Sequence, residues 1–211
     1  MALDYVREPA AIYARSFAAI DGLPQLQTVP AAMRPLATRI VHACGMPDVV
    51  ADLRYSDDVV VAVTDALAAG ADIYCDVETL RHGIIARFLP AGCRVHCAIG
   101  EATVRAHADG HAMTRAAAQI DLWGARLTGQ IVVIGNAPTT LFRLLEAVDD
   151  GHVKPAAIIA FPVGFVGAAE SKAELAANPR GIPFVTLLGR RGGTAMAQAA
   201  INALAGGLAT P

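Results

Sequence analysis

His42 is the residue to which this sequence most readily ties proton chemistry. It falls in the last turn of a helix read from Pro30 to Cys44, where Met33, Ala37, Ile40, Val41 and Cys44 share one face and Gly45 supplies the stop. His42 lies on the other face with Thr38 and Arg39. The helix dipole favours a cation at that end. An imidazolium there can donate a proton if a ligand or a second subunit covers it; pattern alone reads most such histidines as solvent-exposed. Arg115 sits in the first turn of a helix that Thr114 caps. The dipole disfavours a cation there, so Arg115 is either a surface residue or the partner of an anion. Gly189-Arg190-Arg191-Gly192-Gly193-Thr194 opens the final helix, and two arginines beside a helix N-terminus form a carboxylate or phosphate cradle. Arg15 and Ser16 flank the stripe Ile12, Tyr13, Phe17 and Ile20 of a first helix, Pro9 to Ile20, and read by pattern as a solvated face. Lys172 reads equally as a helper in anion binding and as a solvated helix position. Cys93, His96 and Cys97 have metal-like spacing, but members of the group would point to opposite faces of a strand and no second cluster exists. No metal is expected, and the four cysteines read as reduced core thiols.

The elements that must position these groups are strands ending in tight turns. From residue 71 onward strand and helix alternate: Ile73 to Cys75, Arg94 to Ile99, Ile131 to Ile134, Ala156 to Phe161 and Pro183 to Leu188. The pattern predicts an α/β fold, a three-layer, flavodoxin-like domain with a five-stranded parallel sheet in the order 2-1-3-4-5. Residues 1–70 are expected to add an N-terminal helical segment, with Ser56-Asp57-Asp58 capping its third helix, and residues 1–211 to form a single domain. Gly100 to Met113 reads as a long connection. Four turns, Asp76-Val77-Glu78, Gly135 to Thr139, Pro162 to Gly167 and Gly189 to Thr194, follow strands and should converge on one sheet edge. Bare backbone N–H groups are expected there.

Composition narrows the chemistry. Of 211 residues 55% are hydrophobic but only 5% aromatic, and much of the apolar content is alanine, so helices should pack closely. A net charge of −2 argues against nucleic acid and membrane surfaces as partners. No apolar run reaches transmembrane length and the N-terminus lacks the organisation of a signal peptide, so the cytoplasm is the expected location. The dinucleotide fingerprint, the P-loop and the nucleophile elbow are all absent. What remains is a broad site with arginines at its margins and few acid–base groups. That suits a large, flat, polyanionic molecule, and a nucleotide less well.

The motifs carry a resemblance. Ala11 to Phe17, Ile40 to Gly45, Cys75 to Glu78, Thr114-Arg115, Gly135 to Thr139, Pro162 to Lys172 (PVGFVGAAESK) and Gly189 to Thr194 together resemble the precorrin-8X methylmutases of cobalamin biosynthesis, from about Tyr5 to Ala205. The resemblance implies a homodimeric isomerase that moves the C-11 methyl group of precorrin-8X, a carboxylate-rich tetrapyrrole, to C-12 and gives hydrogenobyrinate. It implies no cofactor. His42 matches the family's catalytic histidine, Ser16 a substrate-contacting serine and Arg115 an arginine near the macrocycle. The expected substrate-binding set adds Arg15, Asp76, Gly135 and Asn136, then Val163, Gly164, Phe165 and Val166, and finally Arg191, Gly192 and Gly193. Hand-over of product to the next enzyme of the pathway is a further expectation. Two other readings stand beside this one. One is a protein that holds a corrinoid or flavin without rearranging it; the other is an enzyme for the cobalt-containing substrate.

Overall fold

The structure, a computed structural model, describes residues 3–207. Helices α1 (Pro9–Asp21), α2 (Pro24–Gln27) and α3 (Arg34–Cys44) come first. A 3-10 segment, Pro47–Asp52, leads into strand β1 (Leu53–Tyr55), and α4 (Val59–Ala68) follows. Then come β2 (Ile73–Cys75), α5 (Glu78–Gly83), β3 (Val95–His96), α6 (Ala102–Gly110), α7 (Arg115–Trp123), β4 (Ile131–Ile134), α8 (Pro138–Asp149), β5 (Ala157–Ala160), α9 (Ala168–Ala177), β6 (Phe184–Leu187) and α10 (Thr194–Asn202).

One sheet separates two hydrophobic cores. Along β4, Ile131 and Val133 enter the core shared with α3, α4 and α10, whereas Val132 and Ile134 enter the core shared with α7 and α8. Strand β5 divides the same way, Ala157 and Ile159 against Ile158 and Ala160. Period-two alternation with both faces covered explains why these strands read as unbroken apolar runs. Burying each such Val, Ile or Leu side chain contributes about 1.5–3 kcal/mol.

The structure corrects the sequence reading in several places. The sheet has six strands, in the order β1-β6-β5-β4-β2-β3, and is mixed, not five-stranded and wholly parallel. The added strand β1 pairs antiparallel with β6, Leu53 opposite Leu187, so residues 1–70 are not purely helical. Ser56 does not cap α4; its hydroxyl accepts the Phe184 N–H at 3.0 Å, extending the β1–β6 pairing into the turn. Gly100 to Met113 is not an open connection but contains α6, which packs through Val104 and Ala108, four residues apart. Strand β3 keeps only Val95 and His96. Thr38 is buried, because its hydroxyl donates to the Asp21 carboxylate at the end of α1 (3.1 Å).

Candidate active site

The site begins beneath the sheet's carboxyl edge, at Asp76. This residue follows β2 and is 1% exposed. One carboxylate oxygen accepts the Gly135 N–H at 2.9 Å; the other accepts those of Asn136 (2.9 Å) and Ala137 (2.7 Å). Asp76 therefore shapes the turn after β4 from below and does not line a surface. Burial pushes its pKa up, against the three amides that favour the charged form. Buried Gln119 braces the same corner from α7: its amide donates to the Asp76 carbonyl (2.9 Å) and its oxygen accepts the Ala98 N–H (2.7 Å). No local pattern marks that role, since Gln119 sits in an otherwise ordinary helix.

The neighbouring turns are stitched to this one. Val163 N–H donates to the Asn136 carbonyl (3.3 Å), Gly164 N–H to that of Arg190 (3.2 Å), and Gly193 N–H to that of Phe161 (2.7 Å). The expected convergence of Gly135, Asn136, Gly164, Gly192 and Gly193 is therefore present, but the expected row of bare amides is not. The N–H groups of Gly135, Asn136, Val163, Gly164 and Gly193 are all engaged within the chain. What the rim presents outward is apolar: Phe165 is 84% exposed and Val166 88%, with Val163 beside them. The Arg190 guanidinium lies over the Phe165 ring, 5.5 Å from its centre.

Gly192 shows why glycine is required here. A Cβ on it would stand 2.4 Å from the Phe161 carbonyl oxygen, which is backbone and cannot swing aside. Gly192→Ala is expected to push the two turns apart, at about 1–3 kcal/mol. A thermal melt unchanged from the parent's would refute this.

His42 stands at the exposed end of α3. Ser16 of α1 places its hydroxyl 3.3 Å from Nδ1. Phe17 stacks on the ring at 4.8 Å between centres, and Tyr13 stacks on Phe17 at 4.3 Å. The Arg39 guanidinium also lies over Phe17, at 5.1 Å. The imidazole is thus fixed on one nitrogen and one face, and Nε2 makes no hydrogen bond to another described residue. The segment just after α3 ties this helix end to the rim. Asp48 and Asp52 there pair with Arg191 (2.5 and 2.8 Å), and the Asp52 carbonyl accepts the Leu188 N–H (2.9 Å). Arg115 approaches from the other face of the sheet. Thr114 caps α7 by accepting the Ala117 N–H (3.2 Å) and also bonds the Thr139 hydroxyl (2.7 Å), two residues beyond the Asp76-bound turn. Arg115 itself is exposed, and no carboxylate among the described residues pairs with it.

The family described as precorrin-8X methylmutase matches residues 11–206. The chain belongs to the precorrin-8X methylmutase family. It is 53% identical to the precorrin-8X methylmutase of Pseudomonas aeruginosa, covering 96% of this chain and 98% of that protein. It is 48% identical to the one from Sinorhizobium sp, covering 96% of each. The crystal structure of a precorrin-8X methylmutase from Thermus thermophilus superposes with a TM-score of 0.77 at 31% identity, over 93% of this chain and 94% of that one. Membership makes the chain an isomerase of cobalamin biosynthesis.

Within this methylmutase, the expected contact residues divide by what already holds them. Arg191 is engaged by two carboxylates, which push its pKa up, and so serves the turn before any ligand. Arg15, Arg115 and Arg190 have no carboxylate partner among the described residues. Lys172 is fully buried, neither solvated nor open to an anion, and its ammonium donates to the Arg191 carbonyl. Burial lowers its pKa to about 8, against the pull of Asp52. His96 pairs with Asp72 (2.8 Å) and stacks on Tyr74. No group of three metal-ligating side chains gathers among the described residues. No described helix is long and apolar enough to cross a membrane.

Proposed function

We propose that this methylmutase moves the C-11 methyl group of precorrin-8X to C-12, with His42 as proton donor to the macrocycle. The observation that carries this reading is the His42 imidazole, held by Ser16 and Phe17 with Nε2 bonded to no other described residue, at the end of a helix whose following segment pairs through Asp48 and Asp52 with Arg191 in the turn beside the apolar rim. Phe165, Val166 and Val163 offer a surface for a flat conjugated ring, and Arg15, Arg115 and Arg190 offer charges for its peripheral carboxylates. A 1,5-sigmatropic shift breaks the C-11–methyl bond as the C-12–methyl bond forms. It needs neither nucleophile nor metal, only a rigidly held ring with a biased electron distribution. A proton lent to a ring nitrogen makes the accepting carbon electron-poor; a matching proton is returned, so mass is conserved.

The metal-free substrate is favoured by the names and identities of the two bacterial relatives. A homodimer is favoured by α1, which has no buried residue and leaves Ile12 48% exposed, with Leu3 and Tyr5 in the segment before it exposed at 79% and 63%. We assign the enzyme to the cytoplasm, with the following pathway enzyme as the recipient of product.

The direct test is incubation with precorrin-8X, followed by visible spectroscopy and mass. A new spectrum at unchanged mass is expected. Bound but spectrally unaltered substrate would favour a carrier, and turnover of the cobalt-containing substrate alone would move the enzyme to the other branch. For the grip on carboxylates, Arg115→Ala is expected to weaken product binding by roughly 10-fold or more, with the larger deficit at low salt, where screening is weakest. Equal affinity of variant and parent in a titration at low ionic strength would remove Arg115 from the site.

A further inference from the structure

Lysine is seldom fully buried, yet Lys172 is 0% exposed in α9, and its ammonium donates to the Arg191 carbonyl oxygen. Arg191 is thereby fixed from two sides. Asp48 and Asp52, which precede β1, hold its guanidinium, and Lys172, from the helix after β5, holds its carbonyl. A trans peptide directs its C=O and N–H in opposite senses, and no cis bond occurs among the described residues. With the Arg191 C=O drawn into the protein, the Gly192 N–H must point away from it. That N–H finds no acceptor among the described residues, unlike those of Gly135, Asn136, Ala137, Val163, Gly164 and Gly193.

We propose that Lys172 is a positioning residue that orients the Arg191–Gly192 peptide so that the Gly192 N–H faces out of the rim and receives a peripheral carboxylate of the tetrapyrrole. This rests on the methylmutase reading and adds to it one backbone donor and the buried group that aims it. The buried ammonium never touches substrate; it acts through the peptide. The lack of any side chain on Gly192 serves the same end, because the peptide can lie against the Phe161 carbonyl while its N–H stays open.

The test uses the full chain, its substrate and its tetrapyrrole product. Lys172→Met keeps an unbranched apolar stem, one atom shorter, but cannot donate. It is expected to raise KM and product Kd about tenfold with kcat within about twofold of the parent, the pattern of lost uniform binding. A variant with unchanged KM and Kd overturns the proposal, as does one in which kcat falls and KM does not move. Should the methionine variant fail to fold, the parent decides. With glycine labelled by nitrogen-15, the Gly192 amide proton is expected to move downfield on product binding, and no movement overturns the proposal. A parent that binds product but leaves precorrin-8X unchanged sinks the assigned reaction, while the amide shift still decides the Gly192 donor. A parent that binds no tetrapyrrole sinks both.

Discussion

His42→Ala is expected to lower kcat for methyl migration by roughly 10²–10⁴-fold, the range of general acid catalysis, with product affinity reduced far less. The imidazole is exposed at the end of α3 and contributes little to the core, so the variant should fold. Its companion, Ser16→Ala, removes the 3.3 Å contact that orients Nδ1. It should cost less, because Phe17 still holds the ring face. The measurement is single-turnover conversion followed in the visible spectrum, which separates chemistry from product release. A His42 variant that converts substrate at the parent's rate would end the proton-donor account while leaving family membership untouched.

Asp76→Asn is expected to carry the largest stability penalty of any single change at the site. The carboxylate accepts three backbone N–H groups. An asparagine brings one acceptor oxygen and sets an N–H₂ against at least one amide donor. Each buried unsatisfied group costs about 1–3 kcal/mol, so the total is about 3 kcal/mol or more. For a chain of this length that is a fall in Tm of roughly 6–12 °C. The pH dependence has a definite sign. The folded-state pKa of Asp76 lies above its ordinary 3.8, so the native state binds the proton more tightly than the unfolded chain. Parent stability should decline as pH rises from about 3.8 through the raised value and then level off, and the asparagine variant should lack that component. Matching melts and matching pH profiles for the two proteins would show that the turn does not depend on this residue.

How much of this was legible in the sequence depended on whether the signal was local. Strands β4 and β5 could be read because Ile131 to Ile134 and Ala157 to Ala160 are uniformly apolar, as both-face burial requires. The Thr114 cap could be read because cap and amide lie three residues apart. Strand β1 could not: three residues, with Arg54 exposed between Leu53 and Tyr55, are too few to establish a period. Helix α6 was masked by its own composition, since only Val104 and Ala108 face inward beside an arginine, a histidine and an aspartate. The rim amides failed for a different reason. A glycine turn before a helix promises free N–H groups, but the carboxylate that takes up the first of them lies 59 residues upstream. Spacing rules do not reach that far. Lys172 belongs to the same class: its acceptor is a main-chain carbonyl 19 residues away, and nothing in its helix marks it as buried.

The two outermost strands bear on how copies of this enzyme can associate. One border of the sheet is closed by three residues running antiparallel, and the opposite border is only two residues long. Neither offers enough unpaired backbone to template a ribbon continuing into a neighbouring molecule. For the pairing proposed above, that leaves helical surfaces, and the helix that carries Ser16 to the imidazole has no buried residue of its own. If such a pair forms over that helix, its dissociation would loosen the support of the proposed proton donor, and turnover would depend on subunit concentration.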